Sequence, residues 1–295
     1  MPELGDRAVI TAAHRGAIRA ARPDLADADL TLRADGWDCL AIEVAGEWIF
    51  KFPHHPGAQE RLRREPMALD LIRPQTDLTL PFMEVFDGPP VMSLHRKVKG
   101  SPVNPDEYAR LTEGEREGLA EDLAAFYAGA HGIDITSAGA VAASTVRAWP
   151  DAAALMASIT PHVAPDVATA AQWVLSRHAA HGADEDVFGQ FDTHGWNMAF
   201  DPGAGRLHGL FDFAGAGIGP LHRDLSYPMF VSLSLTARIV RLYSALTGRA
   251  VDLQRVVDCH GALRVVELAE ACDSAEPVER YVEALLRFRE RYAPG

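Results

Sequence analysis

The sequence predicts an α+β protein of two unequal lobes, a small antiparallel β lobe with one helix followed by a larger and mainly helical lobe. Segments with the two-residue alternation of β-strands dominate before Gly100, whereas helical periodicity dominates after it. A chain of 295 residues is also long enough to divide, because one core stops growing near about 250–300 residues. The change in periodicity places the two lobes at residues 1–98 and 99–295.

Strands joined by short turns are the main feature predicted for the N-terminal lobe. Leu40, Ile42 and Val44 alternate with other residues as in a half-buried strand, and the Gly88-Pro89-Pro90 run is typical of a turn. The predicted elements are a helix at 8–21, two strands within 32–52, a helix at 57–72, and strands at 78–85 and 91–98.

The C-terminal lobe follows a hinge at Lys99-Gly100-Ser101-Pro102. Thr112-Glu113-Gly114-Glu115 has the pattern of a capping box and predicts the start of a strong helix. Pro202-Gly203-Ala204-Gly205 is typical of a hairpin turn. The predicted elements are helices at 112–131, 146–159, 164–180, 227–246, 253–271 and 277–292, interrupted by a hairpin of strands at 197–201 and 207–213.

Composition and charge exclude several classes of protein. The formal net charge is -13, and no run of Lys and Arg supplies the basic face that nucleic acid requires. An acidic surface favours a cationic ligand, although it also serves solubility alone. The sequence predicts neither a membrane span nor a signal peptide. Cys39, Cys259 and Cys272 form no disulfide framework or zinc motif, which fits a reducing, cytoplasmic location.

The residues that carry chemistry lie in two short segments, one from Phe191 to Asn197 and one at Phe211-Asp212-Phe213. Mg²⁺ prefers hard oxygen ligands and takes only a few from protein, so an Asp and an Asn suffice. Phosphoryl transfer also needs a carboxylate to receive the proton of the attacking hydroxyl. Asn197 follows Asp192 by five residues, and the predicted hairpin brings Asn197 close to Asp212.

At these residues the sequence resembles the aminoglycoside phosphotransferases and the choline-kinase-like enzymes, which share a protein-kinase-like fold. Their catalytic loop has His-Gly-Asp with Asn five residues after the Asp, and their metal segment has Ile-Asp-Phe or Ile-Asp-Trp. The resemblance implies that Asp192 is the catalytic carboxylate. It implies that Asn197 and Asp212 hold Mg²⁺, and that ATP or GTP donates the phosphoryl group. It extends over about residues 30–230 and includes Asp224-Leu225 after a Gly-x-Pro.

The N-terminal lobe shows the same resemblance, and most strongly to the 2''-type aminoglycoside phosphotransferases. The run Trp48–Pro53 is similar to their third strand, in which Phe-Lys-Phe-Pro is typical. The resemblance implies that Lys51 pairs with the α and β phosphates and that Glu65, or alternatively Glu60, fixes the lysine. It also implies that the backbone of Arg96-Lys97-Val98 contacts the base, so that this lobe binds the nucleotide.

The sequence departs from the family pattern at Gln190-Phe191, which replaces the His-Gly before the catalytic Asp. The family His mainly supports the loop, so this change bears on loop geometry more than on metal binding. Four further residues are candidates for substrate contact or loop support, and each has a plainer alternative. They are His194 (a turn position), Asp224 (a helix cap), and Glu267 and Glu270 (a solvated helix face).

The expected function is therefore transfer of the γ-phosphoryl group of ATP or GTP to a hydroxyl of a small molecule. The first expectation for this acceptor is an aminoglycoside-like amino sugar. A cationic or polyhydroxylated acceptor is expected on the helical lobe. Two alternatives stay open: a kinase for another metabolite such as choline, homoserine or a sugar, and a nucleotide-binding pseudokinase without catalysis. The Gln190-Phe191 departure motivates the second alternative.

Overall fold

A five-stranded antiparallel sheet with the strand order β1-β2-β3-β5-β4 forms the N-terminal lobe. The computed structural model describes residues 9–35, 38–138, 146–274 and 277–293. The strands are β1 (Leu30–Asp35), β2 (Cys39–Val44), β3 (Trp48–Pro53), β4 (Glu84–Phe86) and β5 (Met92–Arg96). The segment at 32–52 was predicted as two strands but contains parts of three. The additional strand is β1, which begins at Leu30 and extends into this segment.

Two helices flank this sheet. Helix α1 (Ala12–Ala21) packs Ile18 into the apolar cluster that includes Ile42 and Phe50. Helix α2 (Pro56–Ile72) matches the helix predicted at 57–72, and its last turns belong to the core of the other lobe. The β lobe therefore carries a second helix beside α2, and α2 links the sheet to the helical lobe.

The connection between the lobes runs along a strand of the C-terminal lobe. Ser101 exchanges two backbone hydrogen bonds of 2.8 Å with Phe200. Gly100 has φ of 136° and lies so close to Ala199 that a Cβ would come within 2.6 Å of that residue's carbonyl carbon. Only glycine fits both requirements, so the predicted hinge is tied to the helical lobe at this point.

Helices dominate the C-terminal lobe, as predicted. They are α3 (Pro105–Arg110), α4 (Glu113–His131), α5 (Ile135–Ala138), α6 (Ala152–Ile159), α7 (Pro165–Ala179), α8 (Leu221–Asp224), α9 (Leu233–Thr247), α10 (Leu253–Asp273) and α11 (Glu279–Tyr292). The capping box at Thr112 is present, since its hydroxyl and the Glu115 carboxylate satisfy each other's backbone N–H groups. Helices α4 and α9 share one apolar core, and α6, α7, α10 and α11 share a second.

Two short strand pairs interrupt these helices. The hairpin of β7 (Met198–Asp201) and β8 (Arg206–Leu210) confirms the predicted hairpin. The second pair joins β6 (Asp186–Gly189) to β9 (Gly217–Pro220), which the sequence did not predict. The loop of residues 190–197, hereafter the 190–197 loop, leads from β6 into β7 and is thus fixed at both ends.

Three predicted elements begin six residues too early. One is the helix predicted at 227–246, where a 3-10 turn at Tyr227–Phe230 precedes the start of α9 at Leu233. The helix predicted at 146–159 begins at Ala152 with Asp151 as its N-cap, because Pro150 keeps the preceding residues extended. The strand predicted at 78–85 is limited to Glu84 and Val85, which begin β4, and Pro81 within it has no N–H to donate. Within the described ranges, no helix combines the length and the apolar character needed to cross a membrane.

Candidate active site between the lobes

The β7–β8 hairpin brings Asn197 and Asp212 together, as the sequence predicted. Asn197 lies just before β7, and its carbonyl oxygen accepts a hydrogen bond of 3.1 Å from the Phe211 N–H, just after β8. Asp212 then has a left-handed backbone with φ of 63°. This conformation is uncommon for a residue with a side chain, although Asp tolerates it better than most. It turns the chain away from the direction of β8.

Asn197 is also fixed to Asp192 within the 190–197 loop. Its side-chain Nδ2 donates to the Asp192 backbone oxygen at 2.9 Å and to Asp192 Oδ2 at 2.8 Å. Both acceptors are oxygens, so the amide nitrogen must face Asp192 and the amide oxygen faces elsewhere. The amide oxygen of Asn197 is thereby left for another donor or a cation, which is the role predicted for this buried residue.

Asp192 lies within the 190–197 loop, with 37% of its side-chain surface exposed. Burial raises the pKa of Asp192 to about 6, and the nearby Asp212 carboxylate adds to this rise. His194 Nε2 lies 3.4 Å from Asp192 Oδ1 and acts in the opposite direction. A carboxyl group that titrates near neutral pH is suited to receive the proton of an attacking hydroxyl.

Lys51 joins the two lobes. Its ammonium nitrogen lies 3.1 Å from Glu65 Oε1 on α2 and 3.0 Å from Asp212 Oδ1. Burial disfavours the ammonium ion, but the carboxylates of Asp212 and Glu65 outweigh burial and raise the pKa of Lys51 above its usual value. The Glu65 carboxylate also accepts the Phe213 N–H at 2.8 Å. The predicted partner Glu65, rather than the alternative Glu60, therefore fixes the lysine.

The register of the sheet shows which other residues share the face of Lys51. Directly paired residues point to the same side, and Lys51 pairs with Ser93 while Ile49 pairs with His95. Within the part of the chain that the structure describes, the buried Ser93 hydroxyl has no hydrogen-bond partner. His95 donates from Nδ1 to the Arg96 carbonyl oxygen at 2.8 Å. Sequence reasoning missed both residues. Ser93 and His95 are two residues apart in the strand predicted at 91–98, and this spacing places both on one face of the sheet.

The three residues whose backbone is predicted to contact the base, Arg96, Lys97 and Val98, have different surroundings. The Arg96 guanidinium stacks over the Trp48 ring at 5.0 Å, and the Lys97 ammonium pairs with Glu43 at 2.7 Å. The Lys97 N–H donates to the Glu47 carbonyl oxygen, and Val98 is buried. The two charged side chains are thus engaged within the sheet, and the predicted base contacts rest on backbone groups alone.

Asp224 is fully buried beside the 190–197 loop. Its Oδ1 accepts the Phe191 N–H at 2.6 Å, and its Oδ2 lies 2.9 Å from His131 Nε2. Phe191 has a left-handed backbone with φ of 57°, which costs about 1–2 kcal/mol in a residue of this kind. Asp224 therefore stabilises the strained turn just before Asp192. This geometry fits the predicted loop support and not the alternative of a cap on the next helix, because both carboxylate oxygens are engaged with Phe191 and His131.

The two acidic residues predicted for the acceptor side are both paired. Glu267 lies 3.1 Å from Arg264, and Glu270 lies 3.2 Å from Arg147. Burial raises the pKa of Glu267, although Arg264 favours its charged form. Glu267 is also close enough to His194 for their charges to interact, so this face of α10 does border the 190–197 loop.

Phe230 contacts both the loop and the Glu267–Arg264 pair. Its ring is 5.9 Å from the His194 ring, and the Arg264 guanidinium stacks over it at 4.0 Å. His194 also contacts the Trp196 ring at 5.5 Å in an edge-to-face arrangement. The wall beside Asp192 thus combines aromatic rings with paired charges.

The donor set tests whether Mg²⁺ fits this site. Among the described residues, no group of three or more His, Cys, Asp and Glu side chains is placed to hold a metal ion. Mg²⁺ does not require such a cage, because it usually binds through one or two carboxylates and the phosphates of its nucleotide. The Asp212 carboxylate is a hard oxygen donor of this kind. So is the amide oxygen of Asn197, which accepts no hydrogen bond from the residues that the structure describes. The residues present therefore fit Mg²⁺ bound together with a nucleotide.

A β lobe, a helical lobe and a lysine paired with carboxylates from both define a kinase-like architecture. A family model agrees with it: the model described as "Phosphotransferase enzyme family", APH, matches residues 29–254. The chain belongs to this family of phosphotransferase enzymes. No curated protein sequence matches the chain at a significant level.

Several solved structures share the fold. The GDP complex of a point mutant of aminoglycoside 2'-phosphotransferase IIIa has a TM-score of 0.81 at 18% identity, over 93% of this chain and 95% of that one. The GDP and kanamycin complex of the 2''-phosphotransferase IIIa has 0.76 at 19%, over 93% and 97%. A type I macrolide 2'-phosphotransferase has 0.67 at 17%, over 98% and 100%. At these identities the likeness shows the fold.

Proposed function

We propose that this chain transfers the γ-phosphoryl group of ATP or GTP to a hydroxyl of a small polyhydroxylated molecule, an aminoglycoside-like amino sugar in the first instance. The observation that carries the proposal is the Lys51 ammonium bound to Asp212 across the two lobes, beside the Asp192–Asn197 pair. This arrangement offers a cation for the phosphates, oxygen ligands for a metal ion and a carboxylate for the acceptor. Structures of similar fold that hold GDP, ADP or ATP support a nucleotide donor.

Each of these side chains has a role in the proposed transfer. Lys51 binds phosphate oxygens, and Asp192 accepts the proton of the acceptor hydroxyl. The bond between the γ-phosphorus and the bridging oxygen breaks as the bond from the acceptor oxygen to phosphorus forms, and the nucleoside diphosphate leaves. Asp192 then releases its proton to solvent. A bound Mg²⁺, held by Asp212 and Asn197, would neutralise negative charge on the phosphates.

The acceptor is proposed to bind against α10 and the 190–197 loop. Phe230 offers an apolar surface there. Glu267 can bind an ammonium group of the acceptor once its ion pair with Arg264 is broken. Solved relatives in complex with kanamycin, gentamicin and streptomycin support an amino-sugar acceptor. The macrolide phosphotransferases of similar fold make a macrolide the second acceptor class to test.

The test is turnover with nucleotide labelled at the γ-phosphate. ATP and GTP are each offered with three acceptor sets: the aminoglycosides just named, macrolides, and the metabolites choline and homoserine. We expect label on an aminoglycoside with the wild type and a loss of several orders of magnitude in Asp192→Asn. Asp166→Asn, an exposed carboxylate of α7, is the matched control and should keep full activity.

The outcomes separate the candidates. Label on a macrolide or a metabolite alone would replace the amino-sugar acceptor while keeping the transfer. Magnesium-dependent nucleotide binding without turnover on any set would contradict the proposed transfer and favour a nucleotide-binding protein without catalysis. Full turnover by Asp192→Asn would contradict the role of Asp192 whichever acceptor is used.

A further inference from the structure

Gln190 is a fully buried amide at the junction of the two segments that carry Asp192 and Asp212. Its Nε2 donates to the Phe211 carbonyl oxygen at 3.0 Å and to the Asp212 carbonyl oxygen at 3.1 Å. Its Oε1 accepts the hydroxyl of Thr193 at 2.7 Å. The two carbonyls can only accept, so the orientation of the amide is determined, and every bond of the network has a defined donor.

These bonds constrain the backbone of Asp212. Successive carbonyl groups of an extended strand point in opposite directions, so one nitrogen cannot bind both of them. Phe211 and Asp212 present both carbonyls to Gln190 because Asp212 has left the extended region, with φ of 63°. The same side chain therefore holds the conformation that directs the Asp212 carboxylate towards Lys51.

We infer that Gln190 is a positioning residue, which fixes the Asp212 carboxylate relative to Asp192 through the two carbonyl bonds and the Thr193 hydroxyl. This inference rests on the proposed function, because it concerns the proposed metal ligand. Gln190 stands where the resembling families have His, so the amide takes over the loop support. Unlike an imidazole, an amide does not titrate, and the support is independent of pH.

Three substitutions separate positioning from simple packing. Gln190→Leu keeps the volume but removes every bond. Gln190→His restores a ring N–H donor. Gln190→Glu keeps the acceptor for Thr193, yet its carboxylate form donates nothing to the two carbonyls. The control is Gln254→Leu on α10, which removes a hydrogen bond of 3.1 Å to Asp258 away from the site.

The measurements are kcat, the KM of each substrate, the magnesium dependence of ADP binding by calorimetry, and thermal unfolding. We expect Gln190→Leu to lower kcat by about 10- to 100-fold with the acceptor KM changed less than about twofold, since misplaced groups impair chemistry more than binding. It should also weaken the magnesium enhancement of ADP binding. Gln190→His should recover most of both effects, and Gln254→Leu should show neither.

The pH profile gives a readout that packing alone would not change. Relative to the wild type, kcat of Gln190→Glu should rise as the pH falls, because a protonated carboxyl group again donates a hydrogen bond. A flat ratio, or wild-type kcat in folded Gln190→Leu, would overturn the inference. If Gln190→Leu does not fold, the inference is tested by comparing kcat and magnesium-dependent ADP binding of Gln190→His with those of Gln190→Glu. Magnesium-dependent ADP binding tests Gln190 even if no acceptor is phosphorylated, so the two proposals can fail separately.

Discussion

The ammonium nitrogen of Lys51 lies 3.0 Å from Asp212 Oδ1, although 161 residues separate the two in the sequence. The same nitrogen is 3.1 Å from Glu65, whose side chain has no exposed surface. One cation therefore forms ion pairs with a carboxylate from each lobe. Its position fixes how the strand of Lys51 and the segment of Asp212 face each other.

Removal of Lys51 should reveal how strongly this pair is coupled. Lys51→Met leaves the Glu65 carboxylate buried without its cation, which we expect to lower the free energy of unfolding by about 3–5 kcal/mol. The double variant Lys51→Met/Glu65→Gln no longer carries the buried, unpaired charge at position 65 and should be more stable than Lys51→Met alone. Urea unfolding of both single variants and the double variant measures the coupling. Losses that simply add would show that Glu65 does not depend on Lys51.

The pH dependence of transfer should report Asp192. With a pKa of about 6, its ionised form predominates above neutral pH, and kcat/KM should fall to about a tenth of its plateau at pH 5. His194 lowers this pKa, so His194→Asn should move the acid limb of the profile to higher pH. The nucleotide titrates identically with both enzymes, so the difference between the profiles isolates the protein. An acid limb that His194→Asn does not move would contradict the assignment.

A close backbone approach should make Gly195 indispensable to the 190–197 loop. A Cβ on Gly195 would overlap the Val103 carbonyl oxygen and lie 2.8 Å from Val231 Cγ2. Gly195→Ala should therefore lower the free energy of unfolding by about 1–3 kcal/mol and lower kcat more than nucleotide affinity. Gly114→Ala is the matched control, because its Cβ meets no atom within 4 Å. Equal effects of the two substitutions on unfolding and kcat would disprove this account of the loop.

His95 should make the fold sensitive to acid. Burial, assisted by the Lys51 charge, lowers the pKa of His95 to about 4 from its ordinary value of 6.5. The unfolded chain then binds the proton first, so stability is lost as the pH falls from about 6.5 to 4, by about 3 kcal/mol in all. His95→Asn keeps a donor for the Arg96 carbonyl oxygen and should flatten this dependence in urea unfolding. A variant with the wild-type pH dependence would contradict the prediction, and above pH 8 the two slopes should agree.

Local sequence signals predicted much of the fold. They failed for elements that form only through contact between segments far apart in the sequence. The capping box at Thr112 and the hairpin turn at 202–205 act over a few residues, and both structures are present. The β6–β9 pair depends on contact between segments separated by a whole hairpin, and its strands of four residues have no strong periodicity. The helix predicted at 146–159 followed its apolar residues too far, because Pro150 outweighs them.

The candidate site likewise contains local contacts that the sequence predicts and long-range contacts that it does not. The spacing of Asp192 and Asn197 is local, so their contact could be expected from the loop alone. The assignment of Lys51 and Asp212 to one nucleotide site came from a family resemblance, and their direct contact was not predicted, since no local pattern encodes a contact between lobes. Gln190 was noticed only as a departure from the family pattern. Its bonds to both carbonyls depend on the left-handed backbone of Asp212, which the sequence did not reveal.

The central claim is that the oxygens of Asp212 and Asn197 hold a metal ion with the nucleotide while Asp192 serves the acceptor. The most direct test is calorimetry of ADP binding with and without Mg²⁺ for the wild type, Asp212→Asn and Asp192→Asn. We predict that Mg²⁺ strengthens ADP binding to the wild type and to Asp192→Asn but no longer to Asp212→Asn. An undiminished effect of Mg²⁺ in Asp212→Asn would contradict the claim.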